Sequence, residues 1–373
     1  MAQEVLEMCE FNLLVECNRA GALLESKRLA ESAAAYERVI ARAPELADLH
    51  NCLGRVLHEM QEYERAGNAY TRALQLDPDH ASAISNLAAL FLDLGKLKPA
   101  AVLLRKAIQV DPDGMEAYSN LGTLLTKEGD IAGAVDCFRR VLINDPTFVP
   151  ALCGLGFLHD CAGDEAGAAG YFRLALESQP DSPVALFNLA PRMLAAGDFA
   201  RGWPAYEERW RVRAFSSKRR KFVQPQWRGE DLAGKRAFLY AEQGFGDTLH
   251  FVRYVPMVAA LGAEVVLEIQ PALRRVLGKV PGAARVISGG DEPPLEFDYH
   301  CPLMSLPGVF QTDMESIPGE VPYVFAEEEL ARRWSQRIPG ESLRVGLVWS
   351  GNPEHTRDKL RSIALKDFAG VLQ

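Results

Sequence analysis

Cysteine patterns for disulfides or zinc are missing from this sequence: its seven cysteines, Cys9, Cys17, Cys52, Cys137, Cys153, Cys161 and Cys301, are odd in number and never spaced Cys-x-x-Cys. That leaves reduced thiols with a packing role. The seven histidines include no His-x-x-x-His pair, so no metal is expected. Basic charge is short as well: Lys+Arg 41 against Asp+Glu 50 gives a net charge of −9, a surface that repels nucleic acid and anionic lipid. No stretch approaches the roughly 20 apolar residues that span a bilayer, so no transmembrane segment is expected. The opening MAQEVLEMCEFNLLVECNRA carries acids where a secretory signal carries Lys or Arg, and a cytoplasmic location is expected. With 48% hydrophobic residues over 373 positions, the chain has enough apolar material for two or three cores.

What the sequence does have is a repeat. Pro44, Pro78, Pro112, Pro146 and Pro180 each stand 34 residues after the last. In step with them recur Leu53-Gly54, Leu87-Ala88, Leu121-Gly122, Leu155-Gly156 and Leu189-Ala190, and the small/large pairs Ala66/Tyr70, Ala134/Phe138 and Ala168/Phe172. Small side chains let antiparallel helices approach, large ones fill the gap, and proline stops the second helix. The pattern resembles tetratricopeptide repeats, about six of them, the first and last divergent. Such repeats stack into a superhelix whose first helices line a concave groove. The groove-facing position holds Asn18, Asn86, Asn120 and Asn188, with Cys52 and Gly154 in the other two repeats. A column of amides offers donors and acceptors to the backbone of an extended peptide, an arrangement similar to the asparagine ladder of O-linked N-acetylglucosamine transferases. Asparagine is also simply common in this repeat, so the peptide groove and the plain reading both stand.

Residues 199–227 break the period with Trp203, Trp210, Trp227 and a basic cluster, Arg209, Arg211, Arg213, Lys218, Arg219, Arg220 and Lys221. Two readings of that cluster are open: a solvated helix end complementing the dipole, or a site for an acidic group. From Lys235 the pattern alternates strand and helix: KRAFLYAEQ, a helix from Asp247 to Gly262, AEVVLEIQ, a helix over PALRRVLGKV, then ARVISGG. This spacing predicts a parallel sheet with right-handed crossovers. Gly244-Phe245-Gly246-Asp247 falls at the carboxyl end of the first strand, where open α/β sheets bind ligands. Glycines allow close backbone approach, and Asp247, expected at the helix N-cap, needs no chemical task to be there. Leu249 occupies the place of the third fingerprint glycine, which argues against a dinucleotide site.

Taken in order, EQGFGDTLHFVRYVP, FDYHCPLMSLP, IPGEVPYV and RVGLVWSGNPEHTRDKLRSIAL, following the repeats, resemble bacterial repeat-fused glycosyltransferases related to family 9, the heptosyltransferase-like group with a GT-B fold. The resemblance implies inverting, metal-independent transfer of a sugar from a nucleotide-sugar donor, with no cofactor. It also implies Asp247 as general base, Lys359 and Arg361 at the donor diphosphate, and Gly244, Gly246, Ser350, Gly351 and Asn352 as phosphate-facing turn residues. Glu242, His250 and His300 are candidate acceptor contacts, His300 expected at a strand end facing the cleft and His250 half-buried on its helix.

The expected organisation is an all-α tetratricopeptide superhelix (1–213), a basic linker (214–233), an α/β Rossmann-like GT-B N-terminal domain (234–326), a connecting helix (327–341) and the beginning of a second Rossmann-like half (342–373), for which ESLRVGLVWSG supplies a strand and Ala364 a helix start. A complete second half needs roughly 100 residues, so a C-terminally truncated, inactive transferase is expected. The rival expectation is a non-catalytic scaffold whose repeats bind a protein or peptide. The acceptor itself is left open between protein, lipid and polysaccharide.

Overall fold

The computed structural model describes residues 2–213, 215, 217, 219–289, 296–338, 346–351 and 362–371, with side chains from residue 13 onward. The chain divides into two compact units, Met1–Pro180 and Asp181–Gln373.

The first unit is a stack of antiparallel helix pairs: α1 (Ala2–Glu25) with α2 (Leu29–Arg42), α3 (Ala47–Glu59) with α4 (Tyr63–Leu76), α5 (Ala81–Asp93) with α6 (Leu97–Val110), α7 (Met115–Glu128) with α8 (Ile131–Asn144), and α9 (Val149–Cys161) with α10 (Glu165–Ser178). Their ends follow local chemistry. Gly95, Gly129 and Gly163 take positive φ of 70°, 85° and 81° between the helices of a pair, a conformation that costs glycine little. Asp130 and Asp164 then cap the next helix by accepting from the Gly133 and Gly167 N–H groups at 3.0 and 2.9 Å. The core is built by rings against glycines. A Cβ on Gly54 would stand 2.5 Å from the Tyr70 ring, and one on Gly156 2.7 Å from the Phe172 ring. Phe138 is held between two: a Cβ on Gly122 would lie 2.7 Å from it, and one on Gly154 2.4 Å. Gly154 therefore stands at its groove-facing position because the ring of the preceding repeat fills the space a side chain would take.

In the second unit, α11 (Pro183–Ala195) and α12 (Phe199–Glu207) form the last repeat hairpin, closed by a 3-10 turn at Glu208–Arg211. The last repeat thus clusters with the sheet, 33 residues earlier than the boundary expected at 213. Strands β1 (Arg236–Tyr240), β2 (Glu264–Ile269), β3 (Ala283–Ser288) and β4 (Tyr299–Pro302) form a four-stranded parallel sheet in the order β3-β2-β1-β4. One face packs Leu239, Val265, Leu267, Val255 and Leu306, the other Phe238, Tyr240, Val266 and Ile287 with Phe222 and Phe297 against them. Burial on both faces explains the unbroken apolar runs Phe-Leu-Tyr and Val-Val-Leu. Gln226, within the expected linker, bridges in parallel to His300, and the Trp227 N–H donates to the His300 carbonyl at 2.8 Å.

Three local expectations are corrected. The helix after β1 starts at Phe245 rather than Asp247 and is split into α13 (Phe245–Phe251), a 3-10 turn at Val252–Tyr254 and α14 (Val255–Ala260). Pro256 has no N–H to continue the α-helical ladder across that joint. The helix over residues 271–280 shrinks to a 3-10 turn and the four-residue α15 (Arg274–Leu277). Residues 346–351, expected to complete a strand, have no sheet partner among the described residues; the Ile363 N–H donates to the Trp349 carbonyl at 2.9 Å, and a 3-10 helix follows at Leu365–Val371. Elsewhere the sheet is flanked by α16 (Leu306–Val309), and α17 (Glu328–Arg337) occupies the expected connecting segment with no buried residue.

Candidate functional site

The carboxyl end of β1 runs into a turn held entirely by its neighbours. The Ala241 N–H donates to the Glu268 carbonyl at 2.9 Å. The Gln270 amide donates to the Gln243 carbonyl at 2.8 Å and accepts from the Thr248 hydroxyl at 2.9 Å. Asp247 sits at the third position of α13, not at its N-cap, and its Oδ2 accepts from the Gly244 N–H at 3.0 Å. That bond ties the turn to the helix and leaves Oδ1 without a hydrogen bond among the described residues. Gly246 is exposed, has no positive φ, and a Cβ placed there would meet nothing within 4 Å. Neither its backbone nor its packing against the described residues requires glycine at 246.

Beneath the turn lies a charge network. Arg209, from the turn that closes the last repeat, is 0% exposed. Its Nη2 donates to Glu242 Oε1 at 2.9 Å and to Ser305 Oγ at 2.8 Å, its Nη1 donates to Glu207 Oε1 at 2.5 Å, and Ser305 Oγ donates to the same Glu207 oxygen at 2.8 Å. The guanidinium lies 4.9 Å from the Tyr206 ring centre and 4.6 Å from that of Trp210. The Glu242 side chain is 2% exposed and its Oε2 is buried without a partner among the described residues. Burial pushes its pKa up to about 7, against the pull of Arg209, with the Glu207 and Asp247 charges adding to the rise.

A pH dependence follows. A carboxyl whose folded pKa stands above its ordinary 4.5 favours folding while it is protonated, so its contribution is complete below about 4.5 and is lost as pH rises through about 7. The shift corresponds to about 3 kcal/mol at most. Glu242→Gln is expected to flatten the fall in urea stability between pH 5 and pH 8, read by tryptophan fluorescence; an unchanged slope contradicts this.

The remaining candidates are dispersed. His250 is exposed on α13, less covered than expected; burial of its ring and the Arg253 charge lower its pKa. His300 is in the middle of β4 rather than at a strand end, paired in register with Phe238 and 6% exposed, with its ring 4.8 Å from Phe222. Burial and the Arg219 and Arg220 charges lower its pKa to about 4, so it is neutral. The Gly351 N–H donates to Ser362 Oγ at 3.0 Å, and no hydrogen bond between described residues joins Ser350 or Gly351 to the strand-end turn. Asn352, Lys359 and Arg361 lie outside the described residues.

The asparagines are engaged with their own scaffold. Asn86 Nδ2 donates to Asn51 Oδ1 at 2.9 Å and Asn120 Nδ2 to the Ser85 carbonyl at 3.2 Å, each on the preceding repeat. Asn188 Nδ2 donates to the Val184 carbonyl one turn earlier at 2.8 Å. Asn18 is exposed and lines a cavity of about 450 Å³ together with Cys17, Tyr36 and Cys52. Asn51 was not among the expected groove residues, although it lies one place before Cys52 on the same helix. The basic cluster leaves Arg209 open between a solvated helix end and a site for an acidic group, and the structure instead buries it; its place between Tyr206 and Trp210 is the available sequence signal. Arg220 likewise pairs with Glu268, at 2.9 and 2.5 Å, and lies over the Tyr240 ring.

The N-terminal part of the chain is thus an all-α tetratricopeptide superhelix, the architecture of a protein-interaction scaffold, and a small parallel sheet follows it. Three family profiles described as tetratricopeptide repeat match residues 17–81, 57–125 and 116–148. The protein FlbA of Caulobacter vibrioides is 27% identical over 197 residues, covering 46% of this chain and 32% of FlbA, so the chain spans under a third of that relative. Among solved structures, YrrB, described as a tetratricopeptide protein with an unusual peptide-binding site, is 22% identical with a TM-score of 0.33, covering 49% of this chain and 95% of YrrB. PilW, a type IV pilus biogenesis factor, is 19% identical with a TM-score of 0.42, covering 53% and 90%. Among the described residues no helix is long and apolar enough to cross a membrane, and no group of three or more His, Cys, Asp or Glu could hold a metal ion.

Proposed function

We propose that the protein is a glycosyltransferase-like protein: the sheet domain is the first Rossmann-like half of a GT-B transferase, and the repeats recruit a protein acceptor. The observation that carries this reading is the strand order. A parallel sheet ordered β3-β2-β1-β4 reverses direction between β1 and β4, and doubly wound sheets of this order bind ligands outside the carboxyl ends at that reversal. Gly244, Gly246 and Asp247 stand there. Gly246, which packing among the described residues does not require, fits a need for close approach by a ligand to the backbone.

In the proposed reaction an acceptor hydroxyl attacks the anomeric carbon of a nucleotide sugar. Asp247 Oδ1 takes the hydroxyl proton, the carbon–oxygen bond to the diphosphate breaks, and the nucleoside diphosphate leaves. Lys359 and Arg361 neutralise the charge on the leaving diphosphate. Oδ2, holding the Gly244 N–H, fixes the carboxylate in position. Asp247→Asn keeps that bond but removes the base, and general-base catalysis is worth roughly 10²- to 10⁴-fold. In protein purified from its native host, kcat for sugar transfer is expected to fall at least about 100-fold with donor KM little changed. Undiminished turnover in the variant would remove Asp247 from the reaction.

The second reading is a partner-binding scaffold without chemistry. The repeat architecture alone supports it, and it predicts peptide binding by the first unit with no nucleotide response at the sheet.

A further inference from the structure

A recess in the sheet-bearing unit lies between the last repeat helix and the edge of the sheet. Its volume is about 360 Å³, and its walls include Trp203, Trp210 and Trp227. Two of these indoles are fixed: the Trp203 N–H donates to the Thr312 carbonyl and the Trp227 N–H to the Glu230 carbonyl, both at 2.8 Å. The third, the Trp210 Nε1, is buried with no hydrogen-bond partner among the described residues. Its burial keeps it out of reach of a ligand in the recess, so the kind of ligand is set by the charged side chains of the wall.

Charge decides which kind. The chain carries −9 overall, yet this recess is lined by three guanidiniums, Arg211, Arg219 and Arg228, against one carboxylate, Glu207. Glu207 is already committed to Arg209 and Ser305. Arg211 is held by Glu208 at 2.6 Å. That leaves Arg219, with one 3.3 Å bond to Gln226, and Arg228, whose guanidinium has no hydrogen bond among the described residues. Both are exposed.

We propose that this recess binds a small ligand that joins a flat ring to an anionic group. The ring lies against fixed indole surface, which offers apolar area and quadrupolar stacking. The phosphate or carboxylate meets Arg219 and Arg228, whose planar donors suit either anion. This recess shares Glu207 and Ser305 with the network beneath the strand-end turn, but it has its own ring and arginine wall and does not depend on the transferase reading.

Three of the chain's five tryptophans line the recess, so intrinsic fluorescence reports occupancy directly. The full chain is titrated with phenyl phosphate and phenylacetate, and with inorganic phosphate and phenol as the two halves. At least one ring-bearing anion is expected to saturate the signal at least tenfold more tightly than either half; the stronger of the two names the anionic group. Arg219→Ala with Arg228→Ala, both at exposed positions, is expected to weaken that binding at least tenfold with an unchanged circular dichroism spectrum. Gly246→Ala is expected to leave the binding unchanged. Binding no tighter than that of the halves, binding indifferent to loss of both arginines, or binding abolished by Gly246→Ala overturns the proposal.

Discussion

Replacing Arg209 with alanine is expected to destabilise the second unit by about 3–5 kcal/mol at pH 7, the cost of breaking a buried ion pair from one side. The side chain is fully buried and donates to Glu207, Glu242 and Ser305. Its loss leaves Glu207 and Glu242 without the cation that both accept from. Glu242 can then escape the penalty only by taking a proton, so the loss is expected to shrink at pH 5. Arg209→Lys keeps the charge, but a single ammonium cannot reproduce the planar fork that reaches Glu207 and Glu242 together, and an intermediate loss is expected. All five tryptophans lie between residues 203 and 349, so urea unfolding followed by tryptophan fluorescence isolates this unit from the repeats that precede it. A loss below about 1 kcal/mol, the worth of an exposed pair, would contradict the network.

Phe138→Ala is expected to cost the first unit about 3–5 kcal/mol, the range for emptying a buried aromatic site. The size of the effect follows from what surrounds the ring. Phe138 is 1% exposed and is flanked by Gly122 of its own repeat and Gly154 of the next. Glycine has no side chain with which to fill the vacated space, so closure requires two helix backbones to move. Phe138→Leu, which keeps most of the volume, is expected to cost appreciably less. Because each repeat contacts only its neighbours, the damage stays near the middle of the stack. The far-ultraviolet dichroism transition in urea is expected to move to lower denaturant while the tryptophan transition stays in place. A joint shift of both would show that the two units unfold together.

The repeats were legible because their signals are local and periodic. Proline spacing, glycine turns and small/aromatic pairs each act within one helical pair, so reading along the chain recovers them. The strands Phe238-Leu239-Tyr240 and Val265-Val266-Leu267 were legible for the same reason, as apolar runs bounded by turns. The charge network was not, because Arg209 and Glu242 are 33 residues apart and a basic cluster reads alike whether its members are solvated or buried. The asparagine column shows the reverse limit. Its positions were readable, but the amides of Asn86 and Asn120 donate to the preceding repeat, which only tertiary stacking reveals. At 346–351 a strand-like sequence stands without a strand, since a strand is defined by a neighbour's hydrogen bonds and the pattern alone cannot supply one.

The strand-end site is tested most directly by isothermal titration of UDP, GDP, ADP and CDP against protein purified from its native host, and against its Gly246→Ala variant. Alanine at 246 meets no atom of the described residues within 4 Å and favours the helix, so the variant is expected to fold with stability unchanged or raised by up to about 1 kcal/mol. The account predicts that one nucleoside diphosphate binds the parent protein and that Gly246→Ala weakens it at least tenfold. Equal affinity in both proteins, or no response to any of the four nucleotides, would contradict a nucleotide-sugar site at the end of β1.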